Sequence, residues 1–212
     1  SILSIGDELL RGSTVNTNLA DIGQELGAVA LFPGHEMCVP DTRAGIFTGL
    51  DTLLPLSDVI IATGGLGPTS DDITKNAVAE YLGLGIYEDQ EVVEHLKMWW
   101  AKLRRGAMPK AVMSQALVPD GAQVMPNNNG TAPGLHIFNS AKLDGKRIFM
   151  LPGPPHECMP IVKESVIPAL LKLVKVNLHT EIIYVIGVPE SHAEEKAAPF
   201  IEGENDLTLA YC

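Results

Sequence analysis

The 212-residue chain sets 15 Lys and Arg against 26 Asp and Glu, a formal net charge of −11, with 46% hydrophobic residues and a mean hydropathy of +0.15. That length and apolar content suit one large α/β core with a small appendage and exclude a disordered chain. The acidic balance, with no basic stripe to override it, argues against nucleic acid and anionic membranes as partners. No apolar run reaches membrane-spanning length.

Taken in chain order, residues 1–5 read as a short strand. Leu19, Ile22 and Leu26 follow at helical spacing, with Asn16 or Asn18 as cap and Gly27 as stop. Residues 29–39 hold a second strand, interrupted near Pro33-Gly34. Asp41 then caps a helix whose Ile46, Leu50, Leu53 and Leu54 share a face. Residues 58–63 form a third strand and 73–82 a helix closed by Gly83. This alternation predicts βαβ units and a parallel sheet. A helix over 88–103 carries Trp99 and Trp100, which cannot both fit a narrow buried stripe; core packing or a half-exposed ring is expected ahead of a subunit contact.

Residues 107–134 are irregular, with four prolines and an Asn127-Asn128-Asn129-Gly130 turn. Residues 135–138 and 147–151 flank Asp144-Gly145 as a hairpin. LPGPPHE, residues 151–157, leads into a helix to about residue 173, with Pro155 in its first turn and Glu157 as a capping-box residue. A strand over 181–188, a helix over 192–200 and a strand over 207–211 complete the chain. The expected fold is therefore α/β: a three-layer, doubly wound, mostly parallel sheet over residues 1–174 with a small β-hairpin region. A truncated C-terminal α+β subdomain follows over 175–212.

The most informative stretch is VIIATGGLGPTSDDIT, residues 59–74. A buried strand that ends in a glycine turn at a helix start is where open α/β sheets bind anions. Gly64, Gly65 and Gly67, with the amides of Thr69 and Ser70, can close on one phosphate, and Thr69 or Ser70 can cap the helix. Asp71 and Asp72 at the lip change the electrostatics. A helix N-terminus stabilises an anion by about 0.3–1 kcal/mol. One carboxylate about 4 Å from a phosphate charge costs about 4 kcal/mol at an effective dielectric of about 20. The dipole loses, so a hard divalent cation is expected to mediate the contact.

In a doubly wound sheet the loops after the strands share one edge. Asp7 and Glu8, Asn16 and Asn18, Asp41, Thr131 with Gly134, and Pro152-Gly153 with Glu157 would converge on the glycine turn. Asp41 and Glu157 also suit helix caps, and Asp7 and Glu8 a solvated turn. The six histidines lack HxxxH-type spacing, which argues against zinc. No Walker A and no full GxGxxG follow the turn, which argues against a kinase or a Rossmann dehydrogenase. Cys38, Cys158 and Cys212 are scattered, so a reduced, cytoplasmic protein is expected. Ser1 lies within the first strand, so a few residues are expected ahead of it, and nothing argues for a signal peptide.

GDELLRG with NTN, GGLGPTSDDIT, QALVP, NGTAPG and LPGPPHE, in that order, resemble the N-terminal domain of the competence/damage-inducible CinA family, a branch of the molybdopterin-binding fold. The resemblance covers residues 2–173, and GVPES at 187–191 resembles the start of the family's KH-like subdomain. It implies divalent-metal-dependent cleavage of the pyrophosphate of ADP-ribose, with Mg²⁺, Mn²⁺ or Co²⁺. Related domains bind molybdopterin and transfer an adenylyl group to it. By the resemblance, Asp72 and Asp41 stand at the reaction centre, with Asp71 as a further metal ligand. Thr131 and the Gly134 loop would touch phosphate or sugar, and Glu157 would be an outer acid. The residues 111–114 before Gln115 lack the family's Asn and basic residue, and Asn128 stands where a Pro is usual. A non-catalytic ligand-sensing domain is the remaining alternative. Self-association is expected from the tryptophan pair, and the ligand is a small nucleotide or pterin.

Overall fold

The computed structural model describes residues 1–103, 106–174, 181–203 and 209–210. It contains two compact units, Ser1–Leu178 and His179–Cys212. In chain order the first unit comprises β1 (Ile2–Ile5), α1 (Asp7–Leu10), α2 (Thr17–Gly27), β2 (Glu36–Val39), α3 (Arg43–Leu53), β3 (Val59–Thr63), α4 (Thr74–Leu82), β4 (Ile86–Glu88), α5 (Gln90–Leu103), β5 (Leu117–Pro119), β6 (Gln123–Met125), β7 (Gly134–Ile137), β8 (Arg147–Leu151), α6 (Pro155–Ile161) and α7 (Ile167–Leu171).

Six strands form one sheet in the order β2-β1-β3-β8-β7-β6; β4 and β5 pair apart from it. The first four run parallel, and β7 and β6 are antiparallel. Period-two alternation explains the two covered faces. Leu3, Ile5, Ile60, Ala62, Ile148 and Met150 point into a core shared with Ile46 and Leu50 of α3, Val78 of α4 and Leu96 of α5. Ile2, Ile61, Phe149 and Leu151 point the other way, onto Ile22 and Leu26 of α2 and Ile161 of α6. The expected three layers and mostly parallel sheet are thus observed. Asp144 at φ 47 and Gly145 at φ 83 make the β7–β8 connection.

Several boundaries differ from the sequence reading. The second strand is only Glu36–Val39, because residues 29–32 close off α2: Leu31 N–H donates to the Leu26 carbonyl and Ala30 takes φ 58. The helix expected at 88 begins at Gln90. Glu88 belongs to β4, and Asp89 Oδ1 accepts the amides of Glu91 and Val92 as the cap. The irregular stretch contains a 3₁₀ segment, Lys110–Ala116, besides β5 and β6. The long helix after LPGPPHE is broken by a π segment, Val162–Val166, just before Pro168, whose missing N–H cannot continue an α ladder. Trp99 and Trp100 are both half-buried: Trp100 Nε1 donates to the Gly106 carbonyl, and Trp99 stacks on His95.

In the second unit, α8 (Glu190–Ile201) covers the expected helix. The strand expected over 181–188 is absent. Ile182, Ile183, Tyr184 and Ile186 are exposed, and a strand exists only where a second one accepts its ladder bonds. Of the strand expected over 207–211, residues 207, 208 and 211 lie outside the described residues, and Leu209 and Ala210 carry no strand. Among the described residues no helix is long and apolar enough to cross a membrane.

Candidate functional site

The sheet order reverses between β1 and β3, and a pocket of about 490 Å³ opens at the carboxyl ends of these strands. This is the place where crossovers leave on opposite faces and a crevice must form. Of the residues singled out from sequence, Glu8, Asn16, Asn18, Asp41, Gly64, Gly65, Gly67, Asp71, Asp72, Thr131, Pro152, Gly153 and Glu157 line it. Asp7, Thr69, Ser70 and Gly134 do not.

The glycine turn is shaped by close approaches. Gly64 has φ 100, and a Cβ there would strike the Ile5 carbonyl; Gly65 has φ 67, and a Cβ there would strike Thr74 Oγ1. Only glycine fits either position. Gly64 N–H donates to the Leu151 carbonyl at 3.0 Å, so its amide is not the phosphate donor the sequence suggested. The amides of Gly65, Leu66 and Gly67 make no hydrogen bond among the described residues.

Thr69 and Ser70 do not cap α4, which starts at Thr74 without a side-chain cap. The Thr69 amide and hydroxyl instead donate to Asp72 Oδ2 at 2.8 and 2.6 Å. Asp72 therefore closes the turn with one oxygen while lining the pocket. The Thr69 amide is not available to a phosphate, and Ser70 is exposed.

Asp41 was expected to cap α3, but Thr42 does so, its Oγ1 accepting Gly45 N–H at 3.1 Å. Freed from that role, Asp41 Oδ2 receives only the Asp7 amide, at a long 3.4 Å, and Oδ1 is shielded from water without a partner. Burial, then the charges of Glu8, Asp7 and Asp71, push its carboxyl above the usual range. The Asp7 side chain turns away to pair with Arg11 at 2.6 Å, so Asp7 contributes a backbone donor and a charge. Asp71 is exposed, and the nearby Thr69 hydroxyl and its own amide hold its carboxyl below the usual range.

On the opposite wall, Glu157 makes no capping box. Asn127 Nδ2 donates to it at 2.6 Å, and a Cβ on Gly130 would strike its carboxylate. Burial pushes the Glu157 carboxyl above the usual range, with the Asn127 bond and the charge of His156 opposing. Asn127 Nδ2 also donates to the Ala132 carbonyl, so Glu157 anchors the loop that presents Thr131. Gly134 is buried in β7 against Met125 and Ile161, a packing role away from the pocket lining. Asn16 caps α2 through Leu19 N–H and donates to Ser4 Oγ; Asn18 Nδ2 donates to the Gly153 carbonyl at 2.7 Å.

Among the described residues no three His, Cys, Asp or Glu side chains stand close enough to hold an ion unaided. Asp41, Asp71 and Asp72 are thus not a preformed cage. The donor set nonetheless would suit a hard cation shared between ligand phosphate and one or two carboxylates: Asp41 has an orphaned oxygen, and the charges of Glu8, Asp7 and Asp71 bear on it.

Two buried residues had no site role assigned from the sequence. Gln115, only 2% exposed, lines the pocket, and Lys75, 3% exposed, donates to the Ser114 carbonyl beside it. Burial lowers the Lys75 ammonium to about 8, with Asp72 opposing. Lys75 lies on the inward stripe with Val78, Ala79 and Leu82, a placement the helical spacing could have revealed. Gln115 has no comparable local signal.

A family model described as a probable molybdopterin binding domain matches residues 1–172. A relative named as a competence-damage inducible protein, from Caldicellulosiruptor bescii, is 40% identical over 209 residues, covering 99% of this chain and 50% of its own length. A CinA-like protein of Akkermansia muciniphila is 38% identical over 213 residues, with 100% and 50% covered. The chain thus spans about half the length of the curated relatives it matches. Among solved structures, CinA from Thermoplasma acidophilum superposes with a TM-score of 0.70 at 29% identity, covering 79% of this chain and 95% of that one. MoaB of Thermus thermophilus shares the fold, with a TM-score of 0.52 at 21% identity over 81% and 91%. A matched domain over residues 1–172, the glycine turn at its switch point and these relatives agree: the chain belongs to the molybdopterin-binding domain family, on its CinA-like branch.

Proposed function

We propose that this domain hydrolyses the diphosphate of ADP-ribose or a related nucleotide with the help of a divalent cation. The observation that carries the reading is the pairing of free Gly65, Leu66 and Gly67 amides with the under-bonded Asp41 carboxylate in one pocket. The amides hold one phosphate as fixed donors. Asp41 takes a proton from the attacking water on its unpartnered Oδ1. The water oxygen bonds to phosphorus, the anhydride P–O bond breaks, and AMP and ribose 5-phosphate leave. Asp72 keeps the turn in register through Oδ2 and Thr69, and its other oxygen would hold the ion or orient the water. A Mg²⁺, Mn²⁺ or Co²⁺ ion at Asp41 and Asp71 would neutralise phosphate charge. The test is AMP release from ADP-ribose with each ion, for the wild type, Asp41→Asn and Asp72→Asn. Near-complete loss in both variants is expected; an inactive wild type across all ions refutes the reading.

A second reading follows from the family description: a pterin ligand, bound or adenylylated with ATP in the same pocket. Saturable molybdopterin binding, with an adenylylated product and no AMP from ADP-ribose, would select it. Saturable binding of either ligand without turnover would instead mark a sensing domain.

A further inference from the structure

The pocket offers two kinds of group. The glycine turn offers backbone donors, which suit an anion. Beside that turn the lining holds two side-chain amides whose nitrogen is engaged and whose oxygen is not. Asn18, 8% exposed, spends Nδ2 on the Gly153 carbonyl at 2.7 Å, leaving Oδ1 buried without a partner. Gln115, 2% exposed, directs Nε2 at the Leu66 carbonyl at 3.5 Å, leaving Oε1 in the same condition. The oxygen is the unpartnered atom of each amide, and an amide oxygen is an acceptor. A buried acceptor without a donor is costly, so such groups are kept where something else completes them.

We infer that Gln115, with Asn18, is a specificity-determining residue that accepts hydrogen bonds from N–H or O–H groups on the uncharged part of a phosphate ligand. The inference rests on the glycine turn as the phosphate end. Inorganic phosphates lack such donors, whereas ribose hydroxyls and the exocyclic amine of a base or pterin supply them. Gln115 is held for this task from both sides. Lys75 clamps the carbonyl of Ser114, and the Gln115 amide reaches Leu66 within the turn. Selection against ligands without donors follows, since they would leave the two oxygens unpaired.

The test is calorimetric titration of the full chain, with Mg²⁺ present, by ADP-ribose and separately by inorganic pyrophosphate. Gln115→Met and Asn18→Leu should each weaken ADP-ribose about tenfold, the worth of one net hydrogen bond, and leave pyrophosphate within about twofold. Equal weakening of both ligands by both variants would mean that these residues only brace the turn, and would overturn the assignment. Unchanged ADP-ribose affinity would overturn it too. AMP and ribose 5-phosphate as separate probes tell a base amine from sugar hydroxyls. ADP-ribose that binds with this pattern but is not cleaved refutes the hydrolase and supports the inference. A wild type that binds neither ligand refutes both.

Discussion

Replacing Asp41 by Asn should make the protein more stable and the site inactive. In the free domain, Asp41 is a desolvated carboxylate with one oxygen unpaired, the other bonded only at 3.4 Å, and the charges of Glu8, Asp7 and Asp71 around it. Leaving a buried acceptor unpaired costs about 1–3 kcal/mol, more when it is charged. The Asn side chain keeps an oxygen for the Asp7 amide, removes the charge, and turns an NH₂ toward acidic neighbours. A gain of about 1 kcal/mol is expected, which in a chain of this size raises the melting temperature by about 2–4 °C. The converse experiment adds Mg²⁺. At ten times its dissociation constant, an ion bound only by the folded wild type contributes about 1.4 kcal/mol, or about 3–5 °C, and Asp41→Asn should lose most of that shift. The assay is a thermal melt at pH 7.5 with and without Mg²⁺, in parallel with AMP release. A variant that melts lower than wild type without the ion refutes the strained-carboxylate account. An unchanged Mg²⁺ shift refutes Asp41 as an ion ligand.

His136 supplies an acid limb to stability. It is 4% exposed, stacked on Phe149 with centroids 4.0 Å apart, and burial lowers it to about 4, assisted by Arg147. Above pH 6.5 both folded and unfolded states keep it neutral, so it contributes no slope. Between 6.5 and 4 only the unfolded chain takes the proton, and stability falls by about 3 kcal/mol before levelling. Urea melts at pH 7 and pH 4.5 should show this loss, and His136→Phe should flatten it; an unaltered slope refutes the assignment. Gly64→Ala places a Cβ against the Ile5 carbonyl at φ 100 and should cost about 3 kcal/mol or more. Gly145→Ala, at φ 83 with nothing within 4 Å, should cost only about 1–2 kcal/mol. Equal losses in denaturant midpoints would refute the collision account. Glu157→Gln keeps a partner for Asn127 and should retain the fold, whereas Glu157→Ala should loosen the Thr131 loop and raise KM for ADP-ribose about tenfold.

The strand–helix alternation, the αL stop at Gly83, the Asp144-Gly145 connection and the crevice at the glycine turn were all legible from the residues alone. These are local matters: side-chain periodicity, and backbone conformations open chiefly to glycine. Side-chain partners were not legible in the same way. From sequence, Asp41 suits a cap and Glu157 a capping box; in the fold Thr42 takes the cap, while Asn127 and the close approach of Gly130 claim Glu157. The depth of Gln115, the union of Asp72 with Thr69, and the missing strand at 181–188 were decided the same way. Burial and hydrogen-bond partnership depend on what the rest of the chain brings within about 3 Å, and that is set only when the layers close.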